Sequence, residues 1–138
     1  MIEPNDFNRS IIEEFRANGG IVRGPFDGAT LLLLTTTGAK SGRRGTTPLV
    51  YSKDGDRLVI MASKAGAPTN PAWYHNVLAH PTVTVEVGTE SFDARATVIT
   101  GAERDRLYAQ HAEKNPGFLE YQKKTTRVIP VVTLERVN

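Results

Sequence analysis

Thr35-Thr36-Thr37-Gly38-Ala39-Lys40-Ser41-Gly42-Arg43-Arg44-Gly45-Thr46-Thr47-Pro48-Leu49 leaves an apolar run, Leu31 to Leu34, and re-enters an extended run at Pro48. These fifteen positions carry three glycines, three basic residues and six hydroxyls. Glycine lets backbone N–H groups turn outward and approach a ligand closely. Lys40, Arg43 and Arg44 add charge, and Thr37 and Ser41 add short hydroxyl donors. That is the chemistry of a phosphate or carboxylate cradle. A basic surface hairpin with no ligand fits the same residues.

Outward from this stretch, Leu31–Thr36 reads as a strand and Thr47–Ser52 as another. Lys53-Asp54-Gly55-Asp56 is a hairpin turn, and Arg57–Ala62 is the returning strand. Ala65–Thr69 is a loop, after which Asn70 caps a helix whose first position is Pro71 and which ends at His80-Pro81. Thr82–Val87 and Phe92–Ile99 alternate as strands around Gly88-Thr89-Glu90. Thr100-Gly101-Ala102-Glu103 is a capping-box pattern opening a helix through Leu107, Tyr108 and His111. A shorter helix holds Phe118, Leu119 and Tyr121, and Val128–Arg136 is the last strand. Upstream, Phe7, Ile11, Ile12 and Phe15 make a one-sided helix stopped by Gly19-Gly20.

Six strands joined mostly by short turns, with three or four helices out of regular alternation, exclude a doubly wound parallel sheet. The expectation is an α+β fold, mainly β: a six-stranded antiparallel barrel with peripheral helices. The 138 residues suit one domain spanning 1–138, with the N-terminal helix over about 5–18 and the barrel over about 30–138. No GxGxxG follows a strand, so a Rossmann site has no support.

The second informative block is Met61-Ala62-Ser63-Lys64-Ala65-Gly66-Ala67-Pro68-Thr69-Asn70-Pro71-Ala72-Trp73-Tyr74-His75-Asn76. It joins a strand end to a helix start through small residues. Ser63, Lys64 and the Ala65-Gly66 backbone can meet an anion or a ring edge, and the helix N-terminus adds a positive dipole end. Trp73 and Tyr74 add aromatic surface. Trp73 shares a helix face with Val77, so core packing explains it equally well. Asn76, one turn on, can hydrogen-bond a ligand edge.

Together the two blocks resemble the deazaflavin-dependent nitroreductase and quinone reductase family, whose members use coenzyme F420. Thr36-Thr37-Gly38-Ala39-Lys40-Ser41-Gly42, Pro48-Leu49, Ala62-Ser63-Lys64, Gly66, Asn70-Pro71, Trp73-Tyr74 and Asn76 occur in the family's order, and Ile129-Pro130-Val131-Val132 also fits. The resemblance covers about residues 30–135. Ala39 and Gly45 stand where many members have arginine, with Arg43 and Arg44 beside the gap. Asn115 and Phe118 stand where some nitro-reducing members place tyrosines.

The resemblance implies a split β-barrel and a coenzyme with a phosphodiester and a polyglutamate tail. It implies that Gly38, Ala39, Lys40 and Ser41, with Arg43, Arg44, Gly45, Thr46, Thr47 and Pro48, hold the phosphate and tail. Met61, Ala62, Ser63 and Lys64, with Ala72, Trp73, Tyr74, His75 and Asn76, border the deazaflavin ring. Phe118 and Tyr121 line the substrate pocket, and Tyr121 is the candidate for polarising the acceptor oxygen; a half-buried structural tyrosine is the plainer reading. The implied reaction passes a hydride from the reduced coenzyme to a quinone, nitroaromatic or conjugated lactone. An FMN-dependent split-barrel oxidoreductase and a non-catalytic deazaflavin carrier are the alternatives.

Other features are less informative. His75 and His80 are spaced too poorly to share a metal, and His111 reads as a solvated helix residue. Lys123-Lys124 reads as surface charge. Net charge is +2 at pH 7, too little for a broad nucleic-acid face, so a small-molecule acceptor is the expected partner, with the chain a monomer or a homodimer. Cysteine is absent, which excludes disulfides and thiolate chemistry and fits a reducing cytoplasm. The polar N-terminus does not read as a signal peptide, and no apolar run is long enough to span a bilayer. The expected location is cytoplasmic, with peripheral membrane contact through a quinone substrate.

Overall fold

The computed structural model describes residues 4–22 and 30–137, and the side chains of all of these except residues 4–7 and 65. Phe7 in the predicted helix face therefore lies outside the described side chains. Helix α1 (Pro4–Ala17) precedes strands β1 (Leu31–Thr37), β2 (Arg44–Val50), β3 (Ser52–Asp54) and β4 (Arg57–Met61). After a short 3-10 turn (Lys64–Gly66) come α2 (Ala72–Ala79), β5 (Thr82–Val87), β6 (Glu90–Ile99), α3 (Gly101–Lys114), α4 (Gly117–Lys124) and β7 (Val131–Arg136). No helix of the described residues is long and apolar enough to cross a membrane.

All ladders are antiparallel, in the order β2-β1-β5-β6-β7-β4-β3. The sheet has seven strands where six were expected, and the difference lies in one segment. The predicted Thr47–Ser52 strand begins at Arg44 and breaks at Tyr51 into β2 and β3. β2 pairs with β1 at one edge of the sheet and β3 with β4 at the other. Only Tyr51 separates them, its N–H donating to the Thr30 carbonyl at 3.0 Å. One strand thus serves both edges and the sheet curls on itself as a split barrel. Pro48 has no N–H to give a ladder, and it sits in the edge strand β2 opposite Leu33.

The apolar run in β1 is explained by burial on both faces. Leu32 and Leu34 join Ile60, Val83, Val85, Val132 and Leu134 in the barrel interior. Leu31 and Leu33 point outward, where Ile11 and Phe15 of α1 cover them. In the same way, Leu58 and Ile60 face the interior while Val59 and Met61 meet Leu107 and Tyr108 of α3. At about 25 cal/mol per Å² of apolar surface, these three clusters hold the sheet and its helices together. Arg16 adds a bidentate contact from α1 to Glu86 of β5, at 3.0 and 2.8 Å.

Two predicted caps are used differently. Thr100 sits at the N-terminus of α3 without a side-chain cap bond, and the Glu103 carboxylate lies 2.8 Å from Arg57 on β4. Asn70 does not cap α2, which starts at Ala72, and its Oδ1 instead accepts from Arg127 at 2.8 Å.

Candidate functional site

Three contiguous clefts run around the N-terminus of α2. The first, of about 660 Å³, lies over the β1–β2 loop and is lined by Gly38 to Ser41, Arg43 to Gly45, Ala72, His75 and Asn76. The second, of about 530 Å³, shares Gly45, Ala72 and Asn76 with it and adds Thr46, Thr47 and Trp73. The third, of about 280 Å³, shares Thr47 and Trp73 with the second and continues along Pro48 to Val50, Met61, Ser63 and Lys64 to Phe118 and Tyr121. The two sequence blocks, separated in the chain by residues 50–60, are brought together with α4 along one groove.

Of the residues expected to bind the coenzyme, Ala62 and Tyr74 do not line it. Ala62 is buried in the barrel core, with its carbonyl taken by Arg127. Tyr74, one step along α2 from Trp73, lines a separate cleft with Val98 and Ile129. Successive helix positions differ by about 100°, so Trp73 and Tyr74 diverge.

The basic loop is less open than its composition suggests. Gly38 N–H donates to the Arg43 carbonyl, Gly42 N–H to Gly38, Arg43 N–H to Ser41 Oγ and Ala39 N–H to Asn76 Oδ1, at 2.7, 3.0, 3.1 and 3.0 Å. Four amides expected to face a ligand are therefore spent inside the protein. Arg44 is also engaged, donating to Thr84 Oγ1 at 2.8 Å and Thr37 Oγ1 at 3.4 Å, with Thr84 in turn donating to Asp93. Lys40 and Arg43 are exposed, and their side chains have no hydrogen bond or ion pair among the described residues.

Both ends of the Asn76 amide are engaged inside the protein. Its Oδ1 takes the Ala39 N–H, and its Nδ2 donates to Thr36 Oγ1 at 3.1 Å. It is a bracket between α2 and the basic loop. Trp73 is both core and wall: its ring belongs to the barrel cluster and also borders the second and third clefts.

Lys64 adopts a left-handed backbone, φ +47°, which is uncommon without glycine and costs about 1–3 kcal/mol. Its Nζ reaches Thr69 Oγ1 at 3.2 Å. Gly66 lets this turn press against α4, since a Cβ there would lie 2.8 Å from the Tyr121 carbonyl oxygen.

Sequence reasoning missed two parts of the site. The first is α1, whose Asn8, Arg9, Ile12 and Arg16 form one wall of the second cleft. Amphipathic spacing found the helix but carried no information on what it faces. The second is Arg127, absent from the expected site residues, whose guanidinium ties down the loop over 62–70. His111 corrects a third expectation. It is fully buried instead of solvated, with Nδ1 2.9 Å from Ser52 Oγ and Nε2 lacking a hydrogen-bond partner. Burial pushes its pKa down to about 4, so the ring is neutral.

Residues 7–136 match the F420H(2)-dependent quinone reductase family. The chain belongs to that family. An F420H(2)-dependent quinone reductase of Mycobacterium tuberculosis is 44% identical over 108 residues, covering 76% of this chain and 72% of the relative. A solved F420-H2 dependent reductase is 41% identical, with a TM-score of 0.71 over 77% of this chain and 94% of its own. A structure described as a domain-swapped dimer is 36% identical, with a TM-score of 0.73 over 96% and 100% of the two chains.

Lys40 and Arg43, unpaired among the described residues, stand at one end of the groove of this family member, and Trp73, Phe118 and Tyr121 stand at the other.

Proposed function

We propose that this groove is the coenzyme and acceptor site: Lys40 and Arg43 meet the anionic tail, the α2 N-terminus and Trp73 border the deazaflavin ring, and Phe118 and Tyr121 enclose the acceptor. Membership of the family makes the chain an oxidoreductase that passes a hydride from F420H(2) to quinone-type acceptors. The supporting observation for the site is one continuous groove with two cations, unpaired among the described residues, at one end and an aromatic wall at the other.

Bound coenzyme supplies the hydride and disfavours one-electron chemistry. The residues of the chain bind, orient and exclude water. Asn76 holds the basic loop against α2, so Lys40 and Arg43 meet the tail from a fixed backbone. Arg127 fixes the carbonyls of Ala62 and Ser63, and with them the strained turn at Lys64. Phe118 and Tyr121, 5.2 Å apart edge to face, narrow the acceptor end and shield it from solvent. The Tyr121 hydroxyl donates a hydrogen bond to the acceptor oxygen, where negative charge grows as the hydride arrives. No protein nucleophile is required, and solvent supplies the proton that completes the reduction.

A homodimer is the assembly that the relative described as a domain-swapped dimer favours. Light scattering on the purified chain decides it.

The function is tested by fluorescence titration of the pure protein with coenzyme F420 and with FMN, followed by oxidation of the reduced coenzyme with menadione. Saturable binding of coenzyme F420 and turnover of menadione are expected. Preference for FMN overturns the cofactor assignment. Binding without turnover across quinones and nitro compounds reduces the protein to a carrier.

A further inference from the structure

Helix α4 carries both acceptor-wall residues, Phe118 and Tyr121, yet none of its residues is buried. Its position is therefore set by what grips it. α3 and its C-cap residue Asn115 supply several grips. Tyr108 Oη donates to the Phe118 carbonyl oxygen, Arg104 donates to Gln122 Oε1 at 2.7 Å, and Phe118 N–H donates to the Asn115 carbonyl at 3.1 Å. A further grip is a ring contact: the His111 and Phe118 rings lie perpendicular, with centroids 4.4 Å apart.

His111 is otherwise unexplained. It is a fully buried polar ring that the proposed chemistry does not use, and a leucine would fill the space without an orphaned nitrogen. Its Nδ1 faces the Ser52 hydroxyl, which can donate to it. With Ser52 as donor, the ring proton is on Nε2, the atom without a conventional acceptor. A perpendicular aromatic face is an acceptor for such an N–H, weak but directional.

We propose that His111 is a positioning residue for acceptor selection: anchored on Ser52 of β3, it donates its Nε2–H to the face of Phe118 and so sets how far that ring reaches into the cleft it shares with Trp73 and Tyr121. The proposal rests on the reading of that cleft as the acceptor end of the groove. Phe118 is the residue that touches the acceptor, and His111 acts through it. Tyr108 fixes the Phe118 backbone while His111 fixes its ring, so together they hold the wall in one rotamer. A wall held this way discriminates acceptors by width, because a rigid side chain refuses what a mobile one would accommodate.

Two measurements test this. The first uses coenzyme-free protein with 15N-labelled histidine at pH 7. A neutral Nε2–H tautomer is expected for His111, with its proton shifted upfield by the Phe118 ring and that shift lost in Phe118→Leu. An Nδ1–H tautomer, or a proton indifferent to Phe118→Leu, overturns the proposal.

The second measures kcat/KM for menadione and for p-benzoquinone. His111→Asn keeps a partner for Ser52 but removes the ring, and it should change the ratio of the two values about tenfold while leaving coenzyme affinity unaltered. His111→Phe keeps a ring against Phe118 but loses the Nε2–H, so it should shift the ratio as His111→Asn does, and a ratio held at that of the unmodified protein overturns the N–H contact. An equal loss on both acceptors, or weaker coenzyme binding at a constant ratio, overturns the role in selection. A ratio moved by Phe118→Leu but not by His111→Asn overturns it at His111. A ratio unmoved by Phe118→Leu overturns it through the site, by placing the acceptor elsewhere.

Discussion

The guanidinium of Arg127 donates to the Ser63 carbonyl oxygen at 2.6 Å, joining the α4–β7 connection to the loop before α2. The same head reaches the Ala62 and Ala67 carbonyls at 3.0 and 2.9 Å and Asn70 Oδ1 at 2.8 Å. None of these partners is a carboxylate, and burial holds the Arg127 pKa below its usual value. Hydrogen bonds from a charged group contribute about 1.5–3 kcal/mol each, and those sharing one head are not additive. Arg127→Lys keeps the charge but loses the planar fork. It should destabilise the protein by about 2 kcal/mol and weaken coenzyme F420 binding, read by thermal melting and fluorescence titration. An unchanged melt with unchanged affinity would remove Arg127 from the site's support.

Asn76 is expected to act on the coenzyme through the loop it holds. Asn76→Asp keeps an acceptor for the Ala39 N–H but loses the donor to Thr36, and it adds a negative charge beside Lys40 and Arg43. Coenzyme affinity should fall by about tenfold or more at little cost to the fold. The titration is repeated with Asn76→Ala, which should lose affinity less because it adds no charge.

Lys40→Ala and Arg43→Ala should each leave the melting temperature unchanged, since both side chains are exposed and unpaired among the described residues. Each should weaken coenzyme binding and flatten its salt dependence, because a screened attraction to the anionic tail has been removed. Affinity that stays constant across the salt series would place the tail elsewhere.

Gly66→Ala should displace α4. The new Cβ would lie 2.8 Å from the Tyr121 carbonyl oxygen and 2.9 Å from Lys124 Cβ, at a backbone φ of +82°. The cost should be about 1–3 kcal/mol, with a raised KM for menadione because Phe118 and Tyr121 ride on the moved helix. Steady-state kinetics beside a melt separate the two effects.

His111 makes stability depend on pH. Its pKa is lowered from 6.5 to about 4 by burial, so between these values the unfolded chain binds the proton that the folded one refuses. Its stability contribution is therefore complete above pH 6.5 and is lost as pH falls toward 4. Denaturant unfolding at pH 7 and pH 5 should show a loss of about 2 kcal/mol in the native protein that His111→Phe does not share. Equal losses in both would mean that the ring is already protonated or exposed.

Much of the architecture is local and was legible. Leu31 to Leu34 announced a strand, the Asp54-Gly55 turn a hairpin, and Val83 and Val85 an alternating face, because side-chain periodicity records which face is buried. The family resemblance carried by the two blocks also named most of the residues that line the groove. The doubling of one strand into β2 and β3 was not legible, since nothing at Tyr51 signals that its flanks pair with opposite edges.

Polar side chains were read least well, and for one reason. A hydrogen-bonding group has the same appearance in a sequence whether its partner is solvent, ligand or protein. Asn76 and Arg44 looked available and are engaged, Asn70 looked like a helix cap and takes Arg127 instead, and His111 looked solvated and is buried. Arg127 and its acceptors lie 57 to 65 positions apart. Chain order sets residue type and local periodicity, and so the strands, the helices and the family. Which cations stay free for an anion, and which aromatic rings form the wall, depends on partners met only when distant segments pack.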